Sequence, residues 1–314
     1  MKKYAISILM GAAAMTSVHC GAAQEPLAYD SLKNLPAVEN LVSLQGQTIY
    51  FDNGLYGDYK QVFYTEPTFA TSSRTASQNI YSPIPGRPAS TLKDAIDNKY
   101  FLIKEISPAD DLTAFCFTLE EVNKDNSPKN GAVPFYMAYH PTSTEKPRFI
   151  TMGYVDKLKR ELVGKDYIWT GRNYLRSLSD GMEYEIPEAT VFRCKGVAIA
   201  DGTVQAIMSN PQYGEFIGDL EQVPGQIFCF QSNQAYREWI KTYGLMTAKK
   251  MLVGDLTPGM TKKMAELSWG TPSSKESIPG KGGKEEKWSY DTSERALYFE
   301  GDKLVKVEGG EESD

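Results

Sequence analysis

The chain has 314 residues, of which 41% are hydrophobic and 11% aromatic, and its formal net charge at pH 7 is −6. A chain of about 300 residues fits two or more domains better than one, and the ordinary Gly and Pro contents exclude a fibrous or wholly disordered protein. Because nucleic acids and anionic membranes attract an excess of Lys and Arg, the acidic balance argues against both as partners.

The N-terminus has the layout of a secretory signal peptide covering residues 1–23. Lys2 and Lys3 give a basic start, an apolar run follows over residues 4–15, and Gly21-Ala22-Ala23 supplies the small residues of a cleavage site. The apolar run is too short for a stop-transfer helix, and no second segment is long enough to be a transmembrane helix. We therefore expect an exported protein, in the periplasm or at the periplasmic face of the outer membrane of a Gram-negative bacterium.

Cys20 suggests an alternative to ordinary signal-peptide cleavage, because a cysteine at this point can be the lipid-modified residue of a bacterial lipoprotein. The small residue that normally precedes such a cysteine is His19 here, and position 17 is Ser rather than Leu. The sequence favours ordinary cleavage, and lipidation at Cys20 with association to the outer membrane remains the second reading.

The histidine and cysteine content argues against several classes of metal and catalytic site. After cleavage His140 is the only histidine, so a site with several histidine ligands cannot form within one chain, and a Ser-His-Asp triad would need this residue in a polar, Pro-containing stretch. Cys116, Cys194 and Cys229 form no Cys-x-x-Cys motif and allow at most one internal disulfide. The sequence predicts no catalytic residue, no cofactor and no metal site.

The segment up to residue 231 is predicted to be mostly antiparallel β. We expect a first β module over 38–122, a Pro-rich linker over 123–147 and a second β module over 148–231. Each module contains a Phe-Cys-Phe triplet, at 115–117 and 228–230, in a short aromatic run typical of a buried strand. Cysteine packs readily as a small hydrophobe, and we assign Cys116 and Cys229 that role.

An internal duplication would explain two similar octets, at 44–51 and 162–169. Each octet precedes one Phe-Cys-Phe triplet by a similar number of residues, and chance similarity between two amphipathic strands is the competing explanation. Units of this size with short strands suit small barrels or sandwiches. They weakly resemble tandem bacterial Src-homology-3-like barrels.

Beyond Phe230 the apolar period changes from strand to helix. Apolar residues recur at helical spacing over 233–243, 247–253 and 262–269, and each run ends at a glycine. Thr261 is the predicted N-cap of the third helix, and Pro272 prevents it from continuing. The sequence therefore predicts a change of architecture close to Ser232.

The C-terminal stretch is predicted to be β again. The runs 286–290, 296–300 and 303–307 alternate as strands, and Gly301-Asp302 suits a two-residue hairpin turn that would pair Tyr298 with Val305. Residues 309–314 form an acidic tail that we expect to be disordered.

The order of motifs in this C-terminal part is similar to that of a known family. The motifs are Tyr243-Gly244, Gly259-Met260-Thr261-Lys262, Trp269-Gly270-Thr271-Pro272, Lys287-Trp288-Ser289-Tyr290 and Leu297-Tyr298-Phe299-Glu300. Residues 232–308 thus resemble the small outer-membrane assembly lipoproteins (SmpA/OmlA, or BamE-like), whose fold also resembles the β-lactamase inhibitor protein repeat.

The resemblance implies two helices packed on a three-stranded antiparallel sheet, so that the whole chain would be α+β, and a non-catalytic interaction module of the bacterial envelope. Lys263 departs from the acidic residue often found after the helix cap in that family. Trp269, Trp288 and Tyr298 are expected in the core rather than at a binding surface. The motif residues with expected structural roles are Gly259, Met260, Thr261, Gly270, Pro272, Trp288, Tyr290, Tyr298 and Phe299.

Two classes of function fit these expectations. The first is a non-enzymatic envelope adaptor that binds a partner protein or peptidoglycan. The alternative is an exported carbohydrate-active protein, either a hydrolase with a carboxylate pair or a carbohydrate-binding protein. Asp110, Asp111, Glu120 and Glu121 are the carboxylate candidates, and their sequence context does not distinguish them from solvated surface charges.

Overall fold

The computed structural model describes residues 34–35, 38–52, 63–67, 79–108, 114–139, 149–200, 202–220, 227–280, 283–290 and 295–309. Over these residues the chain is mixed α+β with mostly antiparallel sheets, which confirms the expected fold class at this level. None of the helices in these ranges is both long and apolar enough to span a bilayer. The predicted signal peptide, Cys20, His140, Asp110, Asp111 and residues 310–314 lie outside the described residues.

The first sheet has six strands in the order β2-β7-β6-β5-β1-β8, all pairs being antiparallel. Its core is aromatic, with Phe51, Phe101, Phe117 and Phe135 fully buried. A separate hairpin, β3–β4, and two short 3-10 helices, Val38–Leu44 and Lys93–Ala95, accompany it. The strands are β1 Thr48–Phe51, β2 Phe63–Tyr64, β3 Pro83–Ile84, β4 Arg87–Thr91, β5 Lys99–Pro108, β6 Phe115–Val122, β7 Phe135–Tyr139 and β8 Ile150–Thr151.

The second sheet has five strands in the order β14-β13-β12-β9-β15. Helix α1, Met152–Leu162, buries Val155, Leu158 and Leu162 in the core of this sheet. The elements are β9 Asp166–Trp169, β10 Leu175–Arg176, β11 Glu183–Tyr184, β12 Val191–Ala200, β13 Thr203–Asn210, β14 Gly214–Asp219 and β15 Phe230–Ser232.

Two expectations for this part of the chain need correction. The region before residue 232 is not purely β, because Val155, Leu158 and Leu162 lie on one face of an amphipathic helix that ends where a strand was expected to begin. The expected linker 123–147 contains β7, whose alternate residues Phe135 and Met137 complete the buried face of the first sheet.

The first and second sheets repeat one topology. If the strands of each sheet are taken in chain order, β1, β5, β6, β7 and β8 occupy the positions that β9, β12, β13, β14 and β15 occupy in the second sheet. In both sheets the last strand pairs with the first and leads directly into the next helix. We call residues 38–151 the first unit and residues 152–232 the second unit.

Backbone hydrogen bonds repeat between the units as well. Gly46 and Gly164 both have φ of 82°, and each donates its N–H over 2.8 Å, to the carbonyl oxygens of Ile103 and Cys194 respectively. A β-bulge follows both Ile103 and Cys194. The octets 44–51 and 162–169 are therefore structurally equivalent.

A second equivalence lies at the start of the long central strands. Asn98 and Ala189, which precede β5 and β12, both have positive φ (55° and 62°) and donate their N–H to Phe51 and Trp169, the last residues of β1 and β9. The Phe-Cys-Phe triplets do not correspond, because 115–117 opens β6 whereas 228–230 is the turn that leads into β15.

The third unit, residues 233–308, has three helices followed by a four-stranded meander, β16-β17-β18-β19. The three helical runs predicted from the sequence are present, and the second begins two residues earlier than predicted. The resemblance implied two helices and three strands; the fourth strand forms because Ser274–Gly280 pairs along β17. The elements are α2 Asn233–Tyr243, α3 Leu245–Val253, α4 Lys262–Trp269, β16 Ser274–Gly280, β17 Gly283–Tyr290, β18 Arg295–Glu300 and β19 Lys303–Glu308.

Tyr298 lies on the opposite face of this sheet from Trp288, so its predicted place in the core is wrong. Trp288 is opposite Leu297 and both are buried, whereas Tyr298 is opposite Lys287. Because neighbouring residues of a strand point to opposite faces of the sheet, Tyr298 points away from the core that Leu297 enters. A bulge that leaves Val305 unpaired also aligns Tyr298 with Lys306 rather than with Val305.

Candidate functional site

The motif residues at the start of α4 have structural roles. The Thr261 hydroxyl accepts the N–H of Met264 at 3.2 Å, as predicted for an N-cap. Gly259, with φ of 95°, donates its N–H to the carbonyl of Leu304, which ties this turn to β19. Met260 is buried in the core of the third unit.

The motif residues at the end of α4 act in the same way. Gly270 has φ of 82° and closes the helix by donating its N–H to Glu266. Pro272 is buried, and Tyr290 donates its hydroxyl to the Gly270 carbonyl at 3.4 Å while its ring meets Trp269 edge-on. Phe299 and Trp288 pack together with ring centroids 4.7 Å apart.

The acidic candidates that the structure describes do not form a carboxylate pair. Glu120 is ion-paired with Lys104 at 3.6 Å, and Glu121 is ion-paired with Lys129. Within the described ranges there is no group of three or more His, Cys, Asp and Glu side chains placed to hold a metal ion.

Cys116 and Cys194 are buried free thiols, whereas Cys229 is half-buried. Burial, with a smaller contribution from Glu105, raises the pKa of Cys116 to about 11, and burial also raises the pKa of Cys194. Both thiols therefore carry little thiolate at neutral pH.

We expect an alkylating reagent at pH 8 to modify Cys229 of the native chain well before Cys116 or Cys194, because the thiolate is the reactive form and access is limited at the two buried sites. Peptide mass spectrometry after timed labelling measures the order. Labelling in urea is the control, where the three rates should converge. Faster modification of Cys116 than of Cys229 in the native chain would contradict this prediction.

A surface cleft of about 350 Å³ opens at the edge of the second sheet. This region was not predicted from the sequence as a functional site. Strand β14 supplies one wall, the β10–β11 hairpin supplies the opposite wall, and the turn before β15 closes one end. The side chains that decide its chemistry are Asn173, Tyr174, Arg176, Glu183, Asp219 and Phe228.

The β10–β11 hairpin is shaped by its own turn. Ser177 donates its N–H to the carbonyl of Met182 at 2.8 Å, and Gly181 takes a φ of 72° that a residue with a side chain rarely adopts. Asp180 accepts the Met182 N–H at 3.0 Å and the Tyr184 hydroxyl at 2.8 Å. These bonds lower the pKa of Asp180 and raise that of Tyr184.

The hairpin is also fixed to the sheet. Leu178 donates its N–H to Glu215 at 2.9 Å, Ser177 forms a bridge with Phe216, and the Tyr184 ring meets Phe216 edge-on. The cleft is therefore held by backbone bonds before any ligand arrives, which reduces the ordering cost of binding.

Large apolar side chains are exposed around this cleft. Tyr174 is 59% exposed, Met182 63% and Phe228 48%, and Leu178 and Tyr184 are exposed as well. We call these five residues the hairpin surface. Tyr, Met, Phe and Arg are enriched at protein interfaces, and Arg176 and Glu183 supply the polar rim that such interfaces have. The sequence signal that could have indicated the hairpin surface is the presence of large apolar side chains beside turn residues, as in 177–182.

No known protein-family model matches the chain, and no curated protein or solved structure is detectably similar to it. The likeness to BamE-like lipoproteins and to Src-homology-3-like barrels stays a prediction from the sequence.

Proposed function

We propose that this chain is a non-enzymatic, exported cell-envelope protein that acts as an adaptor and binds a partner protein through the hairpin surface. The observation that carries the proposal is the exposure of Tyr174 and Phe228 in a cleft whose walls are already fixed, beside a hairpin that exposes Met182. Exposed apolar clusters of this kind mark interaction sites in soluble proteins. The predicted signal peptide supports placement in the periplasm, and the BamE-like motif order supports an interaction role.

One observation favours the alternative, a carbohydrate-binding role that would include peptidoglycan glycan strands. Tyr174 and Phe228 lie beside Asn173, Arg176 and Glu183 in the same cleft. Aromatic rings can stack on sugar rings while planar polar side chains bond their hydroxyls. The continuation of the apolar surface to Leu178 and Met182, beyond the polar cleft, supports a protein partner instead.

The test is a cross-linked pull-down from the native envelope with a Tyr174→Ala, Phe228→Ala double variant. We expect partner recovery to fall about tenfold or more, because central aromatic anchors dominate interface energies. Unfolding should change by less than about 0.5 kcal/mol per site, since both side chains are exposed.

Val133→Ala is the matched control, because Val133 is an exposed apolar residue of the first unit. It should leave partner recovery at the wild-type level. Unchanged recovery with the double variant would contradict the proposal. Retention on a polysaccharide panel that the double variant loses would support the carbohydrate-binding alternative.

A further inference from the structure

Among the residues that the structure describes, the side chain of Asn34 bonds the outer edge of β8 in the first unit. The Asn34 carboxamide accepts the N–H of Thr151 through Oδ1 and donates through Nδ2 to the carbonyl of Phe149, both at 2.7 Å. The N–H and C=O of one residue in a parallel neighbouring strand would make the same two bonds. Asn34 therefore takes the place of one residue of an additional strand.

Two further contacts of Asn34 and Leu35 also hold this segment along the edge of β8. The Thr151 hydroxyl donates to the backbone carbonyl of Asn34 at 2.9 Å, and Leu35 packs against the core of the first unit. Thr151 is 0% exposed as a result, and its hydroxyl makes no cap bond to α1.

The equivalent edge in the second unit is the outer edge of β15, where no counterpart of the Asn34 side chain is present among the described residues. Ile150 pairs with Tyr50 in the first unit, and Gln231 pairs with Ile168 at the equivalent place in the second unit. Because backbone groups of successive residues in a ladder point alternately to its two sides, the Phe230 carbonyl and the Ser232 N–H point outward, away from β9. Ser232, the counterpart of Thr151, is exposed. In the part of the chain that the structure describes, no side chain bonds these two groups as Asn34 does in the first unit.

A cleft of about 330 Å³ lies at the C-terminal end of β15, where this strand pairs with β9, and contains Ser232 itself. Lys165 and Asp166 line one side, and Arg237 and Glu238 of α2 line the other. The cleft offers charges of both signs to polar groups of an incoming chain, next to backbone groups that require a peptide-like partner.

We propose that the outer edge of β15 binds an extended segment of a partner protein, with an asparagine whose carboxamide bonds the Ser232 N–H and the Phe230 carbonyl. The bound segment repeats, between molecules, the contact that Asn34-Leu35 makes within the first unit. This site consists of backbone groups of residues 230–232, whereas the hairpin surface consists of side chains, of which Phe228 is the nearest in the chain.

The probe is a synthetic peptide with the sequence of residues 26–37, which contains Asn34, added to the full chain. We expect backbone amide shifts in NMR spectra concentrated at residues 230–238. A peptide with Asn34→Asp lacks the Nδ2 donor and places a carboxylate against the Phe230 carbonyl, and it should bind about tenfold more weakly.

Two protein variants isolate the backbone bond. Ser232 has φ of −55°, which proline can adopt, so Ser232→Pro removes the outward N–H with little change of backbone, whereas Ser232→Ala removes only the hydroxyl. Binding should be about tenfold weaker in Ser232→Pro than in Ser232→Ala.

Three results would overturn the proposal: no shifts at 230–238, shifts confined to 149–152 through exchange at the first unit, or equal affinities of the two Ser232 variants. Dimerisation of the full chain that Ser232→Pro abolishes would assign the edge to a second copy and also overturn it. Tyr174→Ala alone, which leaves β15 and the turn before it unchanged, should bind the peptide normally, so failure here is distinguishable from failure of the proposed adaptor function.

Discussion

Replacing Trp288 with alanine is expected to destabilise the third unit by about 3–5 kcal/mol. Trp288 is only 2% exposed, packs on Phe299, and donates its indole N–H to Glu286. Its removal leaves a large cavity and an acceptor without its partner, and small domains have stabilities of only about 5–15 kcal/mol. Hydrogen exchange of the full chain should show loss of protection in β17 and β18 while the first unit keeps its protection.

Tyr298→Ala is the matched control on the other face of the same sheet. Tyr298 bonds Glu308 at the surface and lies beside Lys306, so its removal should cost less than about 1 kcal/mol. Equal losses of protection in the two variants would mean that Trp288 is not the centre of this core.

The second large effect is expected at Trp169, the buried residue that ends β9. Its ring packs on Phe230 with centroids 5.1 Å apart, and its indole N–H bonds the Ile186 carbonyl at 3.1 Å. We expect Trp169→Ala to destabilise the second unit by about 3–5 kcal/mol, measured by chemical denaturation followed by circular dichroism.

Trp169→Phe separates packing from hydrogen bonding. It keeps an aromatic ring but leaves the Ile186 carbonyl without its donor, and its cost should be about 1–3 kcal/mol. Tyr174→Ala, at an exposed aromatic of the same cleft, should change stability by less than about 0.5 kcal/mol. A Trp169→Ala midpoint within error of wild type would refute this account of the core.

The C-terminal helices were predictable because their signals are local. The apolar spacing over 233–243 and 262–269, the Thr261 cap and the closing glycines all lie within one or two helical turns of the residues they control. The hairpin turn at Gly301 was predictable for the same reason. Helix α1 has the same kind of local signal in Val155, Leu158 and Leu162.

The candidate site was not predictable in this way. Trp169 and Tyr174 are both aromatic and lie five residues apart, yet one is buried and the other exposed. The difference arises because β15, a strand distant in the chain, brings Phe230 onto the Trp169 ring, whereas the Tyr174 ring stays at the surface.

The sequence by itself determined where the last three helices end, which residue caps the third of them, and where the final hairpin turns. Only the tertiary structure decided that β8 and β15 pair with the first strands of their sheets, β1 and β9. It also decided that β7 belongs to the first sheet and that Tyr298 faces outward. Helix periods and caps depend on neighbours a few residues away, whereas strand order, bulges and the face of a sheet depend on pairing between distant segments.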